Sequence, residues 1–515
     1  MIIFGMNRSY ILLSLAIVSA CATSPASNDQ ISGEKVEFFS VAPEAPEMWA
    51  ARGVTGTAPT TDWLAQFNDP KMVELIAEAL ENNPTRQSRA ALTRAAEAFS
   101  RVSRSQKRPS LNLTASGGAT STGTEIAGQT ERFTDGLYGL SIDGSWEIDL
   151  WNRLGAGVAA ADADYAASEA DLAATELSIT AQTANAWITL NQALALERVA
   201  VLTFEARDRV LTLTERRFSR GLSTALDVRT VRAERAGAEA TIAARRQSSQ
   251  EAARRLETLL GRYPEAEITA PAVLPALDEI APEGNPALLL SRRPDIAALE
   301  ARVLSAGLSA EQARLAMLPS LRLSGSAATS SAELEDIIDP ATIAARLIAS
   351  LTQPLFTGGR LDAQRDAAVA QAEASVANYA NGALTAWREV ENALAADVLL
   401  AIQEDAQRRS LEEATYAASL AERQYTSGTI TIFNLISAQT RQLNAESQMI
   451  VAQANRAANR ISYHVALGGG LPVSVATNDD DSKTELAETP AVTAGDGIAE
   501  TPLTEDAAES ASDRS

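Results

Sequence analysis

The sequence predicts a mainly α-helical fold that carries a small membrane-type β-sheet and is built as two copies of one unit. Three observations predict it. Short motifs recur in the same order in both halves of the 515-residue chain. Each half holds two runs in which apolar and polar residues alternate, the spacing of a strand with one apolar face. Each half also holds a stretch of about 68 residues with no proline and almost no glycine, longer than ordinary globular helices.

The repeat is read from four ordered matches, offset by about 205 to 210 residues. Asn83-Pro84-Thr85-Arg86 opens a helical run that ends at Pro109-Ser110-Leu111-Asn112-Leu113; Arg293-Pro294-Asp295-Ile296 opens one that ends at Pro319-Ser320-Leu321-Arg322-Leu323. Asp149 to Gly155 is echoed by Pro354 to Arg360, and Arg217-Phe218-Ser219-Arg220-Gly221 by Gln424-Tyr425-Thr426-Ser427-Gly428. The period far exceeds the 20–50 residues of solenoid repeats, so the unit is half a molecule.

From the N-terminus, residues 1–20 read as a signal peptide. Arg8 is the positive flank, Tyr10 to Val18 the apolar run, and Ser19 and Ala20 the small residues before the cut. Met6 would make a tidier start than Met1. Cys21, the only cysteine, follows at once. The stretch resembles a bacterial lipobox, which implies cleavage before Cys21 and a diacylglycerol on its sulfur. Residues 21–61 read as an extended segment running from that anchor.

Residues 62–264 form the first unit. A helix is expected from Pro84 to Gln106, with proline tolerated in its first turn and Pro109 stopping it. Leu111, Leu113 and Ala115 then alternate with Asn112, Thr114 and Ser116. A polar loop is expected from Gly123 to Asp135. Beyond it, Leu140, Ile142, Gly144, Trp146 and Ile148 face one way and Ser141, Asp143, Ser145, Glu147 and Asp149 the other. That is the pattern of a membrane strand. From Asn152 to Arg220 a single helix would span roughly 100 Å, with Leu177, Ala181, Ala184 and Ile188 on a coiled-coil seam. Residues 265–285 are a proline-bearing linker.

Residues 286–471 repeat this order, with strands at Leu321–Ala327 and Ala345–Leu351. Ile348 alone breaks the second alternation. Ser447, Ile450, Ala454, Ala457, Ile461 and His464 mark the last seam. Residues 472–515 are acidic, lack aromatics and periodicity, and read as disordered.

Composition narrows the function. The net charge of −22 argues against nucleic acid. Aromatics are only 5%, so the helices pack through alanine, at close range. No catalytic set is expected, because His464 is the only histidine. For the same reason no metal site is expected, since zinc needs three or four ligands. No cofactor motif is present: Gly468-Gly469-Gly470 follows a helix rather than opening one. Four amphipathic strands cannot remain in a bilayer as an open sheet, since unpaired edges there cost several kcal/mol per backbone group. Eight strands make the smallest outer-membrane barrels, so other copies must complete the sheet, and three copies supply twelve strands.

These motifs carry a resemblance. Over about Asp62 to Leu471 the chain is similar to the TolC-like outer-membrane efflux proteins, in particular the lipoprotein branch of NodT type. The carriers are the two Pro-Ser-Leu-x-Leu entries, the Pro354-Leu355-Phe356-x-Gly358-Gly359 strand-to-helix turn, the two Gly turns and Ala466-Leu467-Gly468-Gly469-Gly470. The resemblance implies a homotrimeric channel-tunnel with a twelve-stranded outer-membrane barrel, an α-helical periplasmic barrel and an equatorial belt. It implies passive conduction of small molecules such as drugs from an inner-membrane RND pump, through a periplasmic adaptor. It makes Gly221 and Gly428 the periplasmic tips, where Arg217, Phe218, Asp227 and Val228, and Arg423, Tyr425, Phe433, Asn434 and Leu435, would close the tunnel and dock the adaptor. Some members place aspartates where this chain has Asn434 and Ser437, so an acidic ring at the second tip is not implied here. Asp227 reads equally well as a solvated helix-start residue. Two alternatives stay open: a duct for type I protein secretion, and a lipid-anchored coiled-coil spacer without a pore.

Overall fold

The structure, a computed structural model, describes residues 49–50, 63–126, 129–278 and 286–469. The signal segment, Cys21, Gly470 and the acidic tail lie outside the described residues. The first half contains α1 (Pro70–Asn82), α2 (Pro84–Ser105), β1 (Ser110–Ile126), β2 (Gln129–Ile148), α3 (Arg153–Ser219) and α4 (Ala225–Leu259). The second contains α5 (Pro286–Arg292), α6 (Pro294–Leu315), β3 (Ser320–Ser331), β4 (Ala344–Thr352), α7 (Arg360–Ser427) and α8 (Ile432–Ala466). The two halves therefore repeat one order of elements. The short helices α1 and α5, which precede each expected first helix, were not read from the sequence.

The long helices α3 and α7, of 67 and 68 residues, are each flanked by two shorter ones placed end to end. The joints are built alike. Asn83 caps α2, its side-chain oxygen accepting from Thr85 N at 2.8 Å while its amide donates to Leu259 O at the end of α4, also at 2.8 Å. In the second half, Arg293 precedes α6 and its Nη1 donates to Ala466 O, the last residue of α8, at 3.0 Å. Each joint also needs a glycine. A Cβ on Gly261 (φ +74°) would lie 2.7 Å from Asn82 O, and one on Gly468 (φ +89°) 2.8 Å from Arg292 O. The terminal carbonyls and donors of the helices are thus satisfied by one another.

The four strands form one antiparallel sheet in the order β1-β2-β3-β4. Near the helical end its register carries the two-faced pattern across all four strands. Leu113 pairs with Ile142, Ile142 with Ala327 and Ala327 with Ala345; Leu321 pairs with Ile148 and Leu351. The other face carries Asn112, Asp143 and Ser326, and Glu147, Arg322 and Ser350, opposite one another. Ile348 lies on this polar face opposite Ser324. The expected loop from Gly123 to Asp135 is corrected. Pairing continues to Ile126 opposite Gln129, because the threonines of this stretch are β-branched and favour extended backbone over a loop.

The core sits beside the two joints. Trp63, Leu64 and Phe67, then Met72, Leu75 and Ile76 of α1, pack against Trp187 and Ile188 of α3, Leu256 of α4 and Ile461 of α8. Asp69 caps α1 and also accepts from Trp187 Nε1 at 2.6 Å. The linker binds the same region. Buried Glu257 accepts backbone N–H bonds from Ala266, Glu267 and Ile268. Burial pushes its pKa up, but these backbone donors, with that of Glu265, outweigh this and hold it below the usual range. Buried Arg456 and Arg460 both donate to the carbonyl of Asp278. Trp49, from the N-terminal segment, is buried against Ile296 and Val390. Of the two expected seams, Leu177, Ala184 and Ile188 and Ile450, Ala454, Ala457, Ile461 and His464 are buried.

His464 stacks on Trp63 at 5.3 Å between ring centroids, with Nε2 3.3 Å from Gln66 Oε1. It is a packed core residue. Burial, then the nearby Arg460 cation, push its pKa down to about 3. The folded state therefore holds the ring neutral. Its contribution is complete above pH 6.5, the value of the free side chain, and is lost as pH falls toward about 3. One proton taken up on unfolding gives a slope of about 1.4 kcal/mol per pH unit in that window. His464→Gln is expected to flatten this part of the pH dependence in guanidinium unfolding between pH 7 and pH 4. An unchanged slope would show that the ring does not titrate this way.

Candidate functional site at the helical tips

Both long helices end in the same backbone device. Gly221 has φ +71° and Gly428 φ +80°. Gly221 N donates to Phe218 O and Leu222 N to Arg217 O, each at 2.9 Å; Gly428 N donates to Tyr425 O at 3.0 Å and Thr429 N to Gln424 O at 2.9 Å. These paired bonds close off the last carbonyls of each helix, and the left-handed residue between them is easiest for glycine.

The helices that return from the two tips start differently. Thr224 and Asp227 form a capping box: Thr224 Oγ1 accepts from Asp227 N at 3.2 Å, and Asp227 Oδ2 accepts from Thr224 N at 2.8 Å and from Ser223 Oγ at 3.0 Å. The backbone bond from Thr224 is the main reason that the Asp227 carboxyl lies below the usual range. Its oxygens are held within its own helix start, as expected of a helix-start aspartate. At the second tip Thr431 precedes α8 and Asn434 takes the matching place. Thr431 makes no side-chain capping bond.

The two tips touch each other. Arg217 Nη1 donates to Tyr425 O at 3.1 Å, and its guanidinium lies 5.0 Å from the centre of the Tyr425 ring. The Tyr425 hydroxyl lies 3.3 Å from Thr214 Oγ1. Tyr425 is buried with Val210 and Val231 of the first hairpin and Ile432 and Leu435 of the second. A charged donor, a ring face and a shared apolar cluster thus tie the hairpins together. Ten residues above, buried Arg207 adds a second tie, donating to Gln439 Oε1 at 3.1 Å and Thr440 Oγ1 at 2.8 Å.

The expected tip residues divide by exposure. Val228, Tyr425 and Leu435 are buried and hold the hairpins together. Arg217 and Asp227 are half-buried, and Gly221, Gly428, Arg423 and Asn434 are exposed. Phe218 and Phe433 are exposed at 48% and 51%. The sequence reading missed Leu222 and Leu226, exposed at 64% and 66%. Their four-residue spacing just after Gly221 was the signal. With exposed Arg216, Arg220 and Arg229, they make the tip apolar and basic in an acidic chain. At the opposite end of the long helices, Gly358 (φ +61°) and Gly359 (φ +82°) turn β4 into α7, and Asn152 (φ +61°) turns β2 into α3. Pro354 is half-buried, whereas Leu355 and Phe356 are exposed. Among the described residues no group of His, Cys, Asp and Glu could hold a metal ion.

Removing the guanidinium should loosen the tip. Arg217→Met keeps the side chain's length and drops the hydrogen bond and ring contact, together about 1 kcal/mol at this partly exposed place. Amide exchange at residues 425–430 is expected to rise about five-fold by mass spectrometry. Exchange equal to that of the unsubstituted chain would mean that Arg217 does not restrain Tyr425.

Comparison with known proteins agrees with this architecture. Outer membrane protein OprJ of Pseudomonas aeruginosa is 30% identical over 475 residues, 91% of this chain and 96% of the relative. Solvent efflux pump outer membrane protein SrpC of Pseudomonas putida is 27% identical, over 79% of this chain and 87% of the relative. Among solved structures, the outer-membrane channel OprN is 28% identical with a TM-score of 0.73, covering 84% of this chain and 99% of its own. The open state of the MtrE outer membrane channel of Neisseria gonorrhoeae is 27% identical with a TM-score of 0.73, covering 84% and 98%. The description "Outer membrane efflux protein" matches residues 75–262 and 285–469, and the chain belongs to that family.

Proposed function

We propose that this chain is the outer-membrane duct of a tripartite efflux system of RND type, conducting small molecules such as drugs passively outward. The family is one of efflux channels, not enzymes. The observation that carries the reading is the register of the sheet. Near the helical end one face is apolar across all four strands, the other is largely polar, and among the described residues both edges are open. Such a sheet belongs in a closed barrel with lipid outside and water within. Three copies would close it at twelve strands, and the long helices, roughly 100 Å each, would continue the passage through the periplasm.

The tips are the proposed contact with the periplasmic adaptor. Their exposed Phe218, Leu222, Leu226 and Phe433 give an apolar end that a partner's apolar surface would cover. Arg217 and Tyr425 hold the hairpins together when the passage is shut, and the inner-membrane pump chooses the cargo. Residues 1–20 are the lipoprotein signal, and Cys21 carries the lipid. Residues 62–264 and 286–471 are the two repeats, with 265–285 linking them. The acyl chains aid delivery and assembly, because a closed barrel already holds the protein in the outer membrane.

Single-channel recording of the purified protein in planar bilayers tests the duct. Discrete conductance is expected, larger in variants loosened at Gly221 or Gly428, together with raised drug accumulation in a strain lacking the protein. No conductance under any condition, including loosened tips, would exclude the reading. A Cys21→Ser variant behind a cleavable signal is expected to form the barrel at reduced yield. Loss of all membrane association in that variant would show that the sheet is not a membrane barrel.

A further inference from the structure

We propose that Lys107, Arg108 and Trp146 form a site for the phosphate headgroup of an anionic phospholipid, at the rim where the apolar face of the sheet meets the helices. The inference rests on the membrane-barrel reading above and adds the class of lipid that this rim holds.

The site is built from one turn and one strand. α2 ends at Ser105 and β1 begins at Ser110. Between them Lys107 N donates to Arg104 O at 3.3 Å and Arg108 N to Ser105 O at 3.0 Å. Trp146 of β2 pins this turn, its Nε1 donating to Lys107 O at 3.0 Å. Trp146 shares the apolar face with Ile142 and Ile148, and its ring is 37% exposed. An indole on that face which reaches the Lys107 carbonyl brings the turn to the lipid side of the sheet. On the same face Leu111 and Leu113 follow at once and are exposed.

The second repeat shows that the turn does not need its charges. Where α6 meets β3, Met317 N donates to Arg314 O at 3.2 Å and Leu318 N to Leu315 O at 3.1 Å. An indole pins that turn as well, Trp151 Nε1 donating to Pro319 O at 2.8 Å. Met317 and Leu318 hold the places of Lys107 and Arg108, yet the backbone is the same. Nor do the two cations serve an ion pair. Arg104 and Arg101, one and two turns earlier, pair with Asp162 and Glu97. Lys107 and Arg108 are exposed, and among the described residues no carboxylate pairs with either. The acids at this end of the sheet are taken: Glu147 by Arg153, and Asp149 by the backbone of Leu154 and Gly155.

An unpaired lysine and arginine beside an indole, at the edge of a lipid-covered face, fit one ligand chemistry. Indoles settle at the level of the headgroups. Long cationic side chains lay their stems along apolar surface and carry their charges to the interface. Both bind phosphate, lysine as a point charge and arginine as a fork. A zwitterionic headgroup brings its own cation, so an anionic one gains more from the pair.

Native mass spectrometry of the purified full chain tests the site, with phosphatidylglycerol or phosphatidylcholine added to the detergent. Phosphatidylglycerol is expected to bind more tightly. Lys107→Gln with Arg108→Gln is expected to weaken it about thirty-fold, the share of two cations beside an anionic surface, and to leave phosphatidylcholine unchanged. Lys107→Met with Arg108→Leu is expected to do the same; the fold already accepts that pair at the second turn, so the loss does not reflect misfolding. Lys71→Gln, on α1, is expected to change neither lipid. Equal affinity of the unsubstituted chain for the two lipids, or no weakening in either double variant, would overturn the site and leave the barrel standing. Displacement of phosphatidylglycerol by inorganic phosphate would also overturn it, since the ligand would then be a free anion. If the unsubstituted chain does not float with vesicles of either lipid, the barrel reading fails and the site with it.

Discussion

Among the described residues neither edge of the sheet has a partner strand, and hydrocarbon supplies none. Each unpaired N–H or C=O there would cost several kcal/mol, so the four strands are stable in a membrane only when another copy continues them. The rest of the chain is consistent with that demand. Near the helical end of the sheet the register keeps the apolar residues of all four strands on one face, Ile348 excepted. The left-handed turns at Asn152 and at Gly358 and Gly359 then send the chain from the sheet into the long helices.

Duplication meets a second constraint. A tube of helices matching the length of α3 and α7 needs walls of equal length, yet the chain must leave the wall to form strands and linker. End-to-end joints reconcile the two. Asn83 and Arg293 bridge each break by hydrogen bonds, and Gly261 and Gly468 let the backbones approach. The linker lies across these joints, held by Glu257, Arg456 and Arg460. The largest core, with Trp63, Trp187 and Met72, is in the same place. The largest bulky cluster thus lies at the joints and a smaller one at the tips, with alanine prominent in the buried seams between.

The tips show how two nearly equal repeats take different parts. Both end in the same glycine-centred cap, but only the first has a capping box, through Asp227. Only the second supplies a buried tyrosine, which receives Arg217 from the first. The hairpins are tied across the repeat by Arg217 and Tyr425, and the first is also tied within it by Arg232 to Glu215 and Arg235 to Asp208.

Much of this was legible in the residues themselves. Period-two alternation reported the strands and which side chains share a face, because a strand's geometry has no other repeat. Absence of proline reported the long helices to within a residue or two, and Gly221 and Gly428 reported where they end. The tip was legible in part: Asp227 and Tyr425 could be singled out, but not that one would cap its own helix and the other would be buried under Arg217. The strands' full length, α1 and the end-to-end joints were not legible, since threonine-rich backbone reads as loop until a partner strand is beside it. The sequence by itself determined the elements, their order and their apolar faces, all local consequences of backbone geometry and side-chain spacing. Only the tertiary structure decided which residues meet, because those contacts join positions some 170 to 210 residues apart, and no local pattern encodes such a distance.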